Sequence, residues 1–156
     1  TLEQESAGSF EAALRPALEG MGFSVRVTLG NPQEICGRIL ERIAGTEKKG
    51  AVIVGLDPDC LEETVSLLKA DENLRYCVRG LYGRGSSLAI LDALDEGIIR
   101  GLCVTDDFRA GYLCIRRAVE AACGQKTEAF TVLEHYYIEK EDLRQPLYEK
   151  MLYPIE

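Results

Sequence analysis

Polar side chains that can bind a small ligand stand just after three apolar runs of the sequence. Asp57 follows the first run, Arg84 the second and Asp106 the third. Carboxylates accept hydrogen bonds from hydroxyl groups and guanidinium groups donate them, so such a set suits a polar solute. If the runs are strands of one parallel sheet, their carboxyl ends meet at the edge where α/β proteins bind ligands. The candidate ligand-binding residues are Asp57, Asp59, Arg84, Thr105, Asp106 and Phe108.

Each candidate also has a purely structural interpretation. Either Asp57 or Asp59 can cap the helix that follows, so that one caps while the other binds. Likewise, Asp106 or Asp107 can cap the next long helix and complement its dipole. Phe108 can stack on the flat face of a ligand, although an aromatic ring at a helix start more often packs into the core. Both interpretations stay open at this stage.

The segment 83–87 reads Gly-Arg-Gly-Ser-Ser and has some character of a phosphate-binding loop, because amides at a helix N-terminus attract anions. It lacks the Gly-Lys-Ser/Thr ending of a nucleotide loop, so we interpret it as a tight turn capped by Ser86, with Arg84 at the rim. Adjacent carboxylates at 106 and 107 can perform acid–base chemistry, but no nucleophile or second base is near them in sequence. The pattern therefore predicts binding rather than catalysis.

The acidic composition limits the classes of partner. The 156 residues include 26 acidic and 18 basic side chains, which gives a formal net charge of −8. This charge argues against direct binding of nucleic acid, which needs a basic surface, and against docking on anionic lipid. No apolar run approaches the ~20 residues that a membrane span needs. The sequence begins with Thr1 and shows no signal peptide, so we expect a processed or shortened chain.

The cysteines and the single histidine do not form a recognisable metal or disulfide pattern. No pair has Cys-x-x-Cys spacing, and each cysteine lies in a periodic segment, which predicts buried free thiols. His135 has no cysteine or carboxylate at zinc spacing, so we expect no metal and no cofactor. Unpaired thiols favour a reducing setting slightly. The six cysteines are Cys36, Cys60, Cys77, Cys103, Cys114 and Cys123.

Helix-like and strand-like periods alternate along the chain. Helices are predicted over 10–21, 31–44, 60–69, 88–95 and 108–123, and strands over 23–29, 51–56, 74–81, 98–105 and 130–137. The alternation predicts a three-layer α/β/α fold with a mostly parallel sheet, and the length predicts a single domain over 1–156. The run 51–56 is continuously apolar, which predicts a strand covered on both faces.

Several motifs occur in the order of a known family. Residues 9–14 read Ser-Phe-Glu-Ala-Ala-Leu, similar to Gly-Phe-x-x-Ala-Leu, and 94–99 fit Leu-x-x-Gly-x-Ile. Residues 104–108 and 110–112 occupy the place of a hinge followed by Met-Gly-Tyr, and 137–143 and 152–155 are similar to the family's ending. The chain thus resembles the C-terminal lobe of the type I periplasmic-binding-protein fold, as in sugar-binding proteins of ABC transporters.

The resemblance implies a solute-binding protein rather than an enzyme. It implies a sugar or another polar solute as ligand, an ABC permease as partner of the full-length protein, and an extracellular, cell-surface or periplasmic location. Asp57 matches the family acid that contacts the sugar, and Thr105 or Asp106 replaces the family's Gln/Asn contact. The alternative is the effector-sensing domain of a LacI-type transcriptional repressor or of a sensor kinase, in the cytoplasm.

The resemblance also implies that the family's N-terminal lobe, and the strand before residue 10, lie outside this sequence. In the family the helix after the hinge packs on that other lobe, so the helix predicted over 108–123 loses its usual partner surface. A large exposed apolar patch is costly and invites self-association. We therefore expect this chain to form a homodimer or a swapped arrangement.

Overall fold

The computed structural model describes residues 2–45, 50–128 and 130–153. The strands are β1 (Ala51–Gly55), β2 (Val78–Arg84), β3 (Ile99–Thr105) and β4 (His135–Ile138). The helices are α1 (Leu2–Gly20), α2 (Pro32–Ala44), α3 (Pro58–Ala70), α4 (Glu72–Cys77), α5 (Leu88–Asp95), α6 (Asp107–Ala122) and α7 (Pro146–Leu152), with a 3-10 helix at Lys140–Arg144. Within these described parts, no helix combines the length and apolar character needed to cross a membrane.

The four strands form one sheet in the order β1-β2-β3-β4. β1, β2 and β3 are mutually parallel, and β4 runs antiparallel to β3. Gly55 lies opposite Gly83, Arg84 opposite Cys103, and Thr105 opposite His135. The carboxyl ends of three strands and the start of the fourth therefore meet at one edge. The predicted α/β fold, with a mostly parallel sheet and flanking helices, is confirmed.

The hydrophobic core lies on one face of the sheet, which we call the inner face. Because side chains alternate along a strand, Leu102 and Val104 of β3 point to this face together with Leu81 of β2. Helices α3 and α5 cover them, and each buried leucine or isoleucine contributes roughly 1.5–3 kcal/mol from the hydrophobic effect. The buried residues that these two helices contribute are Leu61, Thr64, Val65, Leu68, Ile90, Leu91, Ala93 and Leu94.

The opposite, outer face of the sheet is only partly covered. Val52 and Val54 of β1 remain 49% and 47% exposed, so the prediction that this strand is covered on both faces is wrong. Tyr137 of β4 lies across Gly101 of β3, where any larger side chain would overlap the tyrosine ring. A shallow cavity of about 560 Å³ opens on this face, bordered by Phe23, Gly50, Val52, Arg79, Gly80, Tyr82 and Arg100.

Three predicted strands need correction. Residues 23–29 lie outside the sheet, because alternation alone does not supply a paired neighbour, and the Val25 carbonyl instead accepts a bond from Arg15 Nη1 at 2.9 Å. Residues 74–77 belong to α4, because Asp71 caps that helix by accepting from the Asn73 amide at 2.8 Å. The last strand starts only at His135, five residues later than predicted.

Helix α6 buries no side chain. Its large apolar residues recur every three to four positions and so lie on one face, which we call the α6 stripe. This exposure is what the resemblance implied for a helix whose usual partner surface lies elsewhere. The α6 stripe consists of Phe108, Tyr112, Ile115 and Val119, which are 57–69% exposed.

The cysteines are free thiols, but their burial differs from the prediction. Cys36 is buried and Cys60 and Cys77 are half-buried, whereas Cys103, Cys114 and Cys123 are exposed. The exposed three lie on the outer face of the sheet, on α6 and at the end of α6. Periodicity correctly placed Cys103 in a strand and Cys114 in a helix, but it could not show that these surfaces stay uncovered.

Candidate functional site

The candidate site lies at the edge where β1, β2 and β3 end. Asp57, Arg84 and Thr105 follow or end these three neighbouring strands, so the structure brings them to the same edge of the sheet. The two turns touch as well, since a Cβ atom at Gly85 would lie 3.5 Å from Cβ of Pro58. The turn after β2 therefore packs directly against the turn after β1.

Asp57 is the N-cap of α3. Its Oδ1 atom accepts hydrogen bonds from the amides of Asp59, at 3.0 Å, and Cys60, at 3.1 Å. Both bonds use the same oxygen, so the second oxygen, Oδ2, takes no part in the cap and can accept a hydrogen bond from a ligand. Asp59 lies in the first turn of α3, beside a shallow groove that Asn31 and Glu63 also border. Of the two acids, Asp57 is therefore the one that caps.

Ser87, rather than the predicted Ser86, caps the helix after the glycine-rich turn. The Ser87 hydroxyl accepts from the Ile90 amide at 3.4 Å and donates to Glu62 Oε1 at 2.5 Å. The Ser86 hydroxyl is instead directed towards the start of α6, where it donates to Asp107 at 2.6 Å. Gly85 has φ +142°, a conformation that favours glycine, and its amide donates to the Cys103 carbonyl at 3.3 Å.

Asp107 joins the turn after β2 to the end of β3. Its Oδ1 accepts from the Thr105 hydroxyl at 2.9 Å and its Oδ2 from the Ser86 hydroxyl at 2.6 Å. We call this group of three residues the Asp107 bridge. Its neighbour Asp106 caps α6 by accepting from the Arg109 amide at 2.8 Å. With its proton donated to Asp107, Thr105 faces a ligand only as an acceptor.

Arg84 and Phe108 both reach solvent at this edge. Arg84 ends β2 with an exposed side chain, and Phe108 starts the exposed α6 stripe. The interpretation of Phe108 as a core residue is wrong, because its side chain is 64% exposed and none of the described residues covers α6 on that side. Its ring stays accessible for stacking on a ligand.

Sequence reasoning missed the residues that β4 brings to the edge. Because β4 is antiparallel to β3, it starts where β3 ends, and its first residue His135 pairs with Thr105. The Tyr136 hydroxyl donates to Glu134 at 2.5 Å, and this hydrogen bond, followed by burial, raises the pKa of Tyr136. Tyr136 also packs edge-on against Tyr148, with ring centroids 6.0 Å apart. A prediction that the last strand is antiparallel would have placed His135 at this edge of the sheet.

The described residues contain no group of three or more His, Cys, Asp or Glu side chains arranged to hold a metal ion. The polar groups at the edge are instead carboxylates, hydroxyls and guanidinium groups. Such groups form directional hydrogen bonds with hydroxyls of a ligand.

No protein-family model and no curated protein matches the chain. Solved structures do match. One is a carbohydrate transporter solute-binding protein from Agrobacterium radiobacter in complex with D-arabinose, with 24% identity, a TM-score of 0.62, and coverage of 78% of this chain and 39% of that chain. Another is an ABC transporter solute-binding protein from Agrobacterium vitis with bound D-fucose, with 15% identity, a TM-score of 0.66, and coverage of 78% and 40%. A third is a glucose-galactose binding protein from Geobacillus stearothermophilus, with 17% identity, a TM-score of 0.59, and coverage of 73% and 39%.

The chain thus spans about two fifths of the length of the structures it matches. At these identities the likeness concerns the fold. The predicted resemblance is confirmed at that level: the chain has the fold of one lobe of the type I periplasmic-binding proteins.

Proposed function

We propose that the chain is one lobe of a solute-binding protein that delivers a sugar to an ABC transporter. The observation that carries the proposal is the placement of Asp57, Arg84 and Thr105 at the ends of three adjacent parallel strands, in a fold shared with sugar-binding proteins. Sugars present many hydroxyl groups, each of which donates and accepts hydrogen bonds. An edge that carries both carboxylates and a guanidinium group meets both requirements.

Individual roles follow from the contacts. Asp57 accepts from sugar hydroxyls through Oδ2, since Oδ1 is held by the cap. Asp106 is placed in the same way, with Oδ1 on the Arg109 amide. Arg84 donates from the rim, Thr105 accepts, and the exposed ring of Phe108 stacks on the apolar face of the sugar. Asp59, beside the groove between α2 and α3, contributes negative charge at the margin of the site.

A single lobe supplies one wall of the cleft. Proteins of this architecture close two lobes around the ligand by a hinge motion, and buried ligand contacts come from both sides. The isolated chain should therefore bind sugar weakly, and tight binding should need the second lobe. In this proposal the complete protein works outside the cytoplasmic membrane, and a permease accepts the sugar from its closed form.

Two other classes are less well supported. A regulator that senses a small effector has the same kind of lobe, but the matching structures named above are transport or sugar-binding proteins. An enzyme that uses adjacent carboxylates would need them available for proton transfer. Asp106 instead caps α6, and both oxygens of Asp107 accept from hydroxyl groups within the fold.

The direct test is calorimetry on the complete two-lobed protein with D-glucose, D-fucose and D-arabinose. We expect at least one to bind, and Asp57→Asn to weaken its affinity by about tenfold or more, because a charge-assisted hydrogen bond is lost. Asparagine still caps a helix, so the fold should be unaffected. Asp57→Ala should weaken binding at least as much.

Asp71→Ala is the matched control. Asp71 caps α4 with the same pair of amide contacts but lies at the other end of α3, away from the strand ends. Asp71→Ala should lower the free energy of unfolding by about 1 kcal/mol and leave the affinity for sugar unchanged. Unchanged affinity in both Asp57 variants would refute the role of this carboxylate, and no binding of any sugar would refute the proposed ligand class.

A further inference from the structure

Two cysteine side chains meet where α2 packs on α3. Cys36 is 4% exposed and lies on the buried side of α2, next to Ile35. Its Sγ atom donates to the backbone oxygen of Cys60, in the first turn of α3, at 3.4 Å. The Cys36 thiol is also close enough to the Cys60 thiol to help raise its pKa. Since 24 residues separate them, the tertiary packing of the helices creates this contact.

We propose that Cys36 and Cys60 form a reversible disulfide, which ties the first turn of α3 to α2. Both thiols are free in the structure, so this pair is the reduced form. The cross-link would hold the turn that carries Asp57, three residues before Cys60. It would form whether or not the chain binds a sugar.

The surroundings permit the bond. Formation requires the Cys36 sulfur to turn from the carbonyl oxygen of Cys60 towards its sulfur. That oxygen keeps a donor, because the Thr64 hydroxyl also donates to it at 2.8 Å. No buried acceptor is therefore left without a partner, which would otherwise oppose the change.

The exposed cysteines offer no comparable pair. Cys114 and Cys123 are both on or next to α6, but nine residues of helix separate them by about 13 Å along the axis. A disulfide needs Cα atoms within about 7 Å, so a straight α6 excludes this pairing. Cys103 lies in β3 and faces the outer side of the sheet. Because the Cys36 thiol already contacts Cys60, intramolecular oxidation should select this pair over the exposed cysteines.

The reaction needs a disulfide oxidant such as oxidised glutathione. The more accessible Cys60 loses its proton and attacks one glutathione sulfur, which releases one glutathione as a thiolate that takes up a proton. Cys36 then loses its proton and attacks the sulfur of Cys60 in the mixed disulfide, which releases the second glutathione. The two cysteines lose two electrons in total, and the oxidant is reduced to two thiols.

The environment makes this reaction slow at neutral pH. Burial, followed by the neighbouring Cys36 and the carboxylates of Asp57 and Asp59, raises the pKa of the Cys60 thiol to about 11. The attacking species is the thiolate, so the rate of oxidation should rise as the pH increases from 7 to 9. These groups, from α2 and from the start of α3, are the titratable groups that act on Cys60.

Peptide mapping tests the proposal. The chain is incubated with oxidised glutathione at pH 8.5, its remaining thiols are alkylated, and it is digested with trypsin without reduction. Cleavage after Arg26, Arg38, Lys49 and Lys69 gives the peptides 27–38 and 50–69, each with one cysteine of the pair. We expect these two peptides as one cross-linked species, which dithiothreitol separates. The melting temperature of the oxidised chain should rise by roughly 5–10 °C, because the cross-link restricts the unfolded state.

Two variants provide the controls. Cys36→Ser should abolish both the cross-link and the gain in melting temperature, whereas Cys114→Ser should keep both. If Cys36→Ser is too unstable to study, Cys60→Ser, at the less buried position, serves instead. Cross-links that join other cysteines, or Cys36 and Cys60 recovered separately as glutathione adducts after prolonged oxidation, would overturn the proposal.

Discussion

On the inner face of the sheet, α3 and α5 exclude water from Leu81, Leu102 and Val104, whereas on the outer face Val52 and Val54 remain about half exposed. β1 itself is apolar on both faces, with Ile53 packed against the core, so the composition of this strand does not account for the difference. What differs is the number of helices that pack on each face. The helices that connect β1, β2 and β3 lie within this sequence and fold back onto the inner face.

The uncovered surfaces share one feature with the candidate site. Among the residues that the structure describes, no second layer covers the outer face, the α6 stripe or the strand-end edge, and the chain spans only about two fifths of the structures it resembles. We expect the inner face to supply most of the stability of the chain and the other surfaces to be available to a partner. The following predictions test this division, from the largest expected effect to the smallest.

A matched pair of valine truncations compares the two faces directly. Val104→Ala removes a buried side chain from the inner face and should lower the free energy of unfolding by about 2–3 kcal/mol, because it leaves a cavity. Val54→Ala makes the same change on the outer face and should cost less than about 1 kcal/mol, because water already reaches that side chain. Urea denaturation of both variants gives the comparison. Equal losses would show that the two faces are equally well packed.

The α6 stripe should mediate self-association of this chain. Ile115→Glu places a charge in the middle of the stripe and should weaken any dimer by at least about tenfold, because both copies would bury an unpaired carboxylate. Leu147→Glu, an equally exposed apolar position on α7, should have no such effect. Analytical ultracentrifugation over a range of concentrations measures both. A wild-type chain that remains monomeric at millimolar concentration would rule out this role of the stripe.

The sequence predicted some helices and strands correctly and missed others for identifiable reasons. Helix α2 was predicted well, because Asn31 and Pro32 form a local start signal, and the Asn31 side chain accepts from the Gln33 amide at 3.0 Å. The segment 74–77 was misassigned because its residues suit either state, and the Asp71 cap decided for helix. The segment 23–29 alternates well, but pairing depends on a neighbour that a local pattern cannot supply.

The candidate site shows the same limit. Local reasoning identified Asp57 and Asp106 and left capping and ligand binding open for both, and the structure shows that each caps with one oxygen. It could not identify the Asp107 bridge, because Ser86 lies 21 residues from Asp107 and their contact depends on the sheet register. Nor could it place His135 at this edge, since that position depends on the direction of β4.

The Asp107 bridge should stabilise the junction between the covered part of the lobe and exposed α6. Asp107→Ala removes the acceptor of two hydroxyl groups and should lower the free energy of unfolding by about 1 kcal/mol. Ser86→Ala alone should cost less, since Asp107 keeps its contact with Thr105. The double variant should cost less than the sum of the two, with a coupling of about 0.5 kcal/mol or more by urea denaturation. Strictly additive losses would indicate that the Ser86 contact is not formed in solution.

The smallest effect concerns the charges on α6 itself. Hydrogen bonds from Arg116, then from Arg117, lower the pKa of Glu120 below its usual range. Since the folded pKa is the lower one, this interaction stabilises the fold above the ordinary carboxyl pKa and is lost as the pH falls through the pKa of Glu120. Arg116 is exposed and Glu120 and Arg117 are half-buried, so solvent still reaches the group, salt screens the interaction, and its effect on stability should be slight.

NMR titration of the Glu120 carboxyl carbon measures this pKa directly. Arg116→Gln should move it back towards the usual value, and added salt should do the same, whereas Arg109→Gln, more than two turns away on α6, should leave it unchanged. If salt had no effect, the pair would have to be shielded from solvent. In that case α6 would be covered in solution, and the contrast between the covered inner face and the exposed helix would no longer hold.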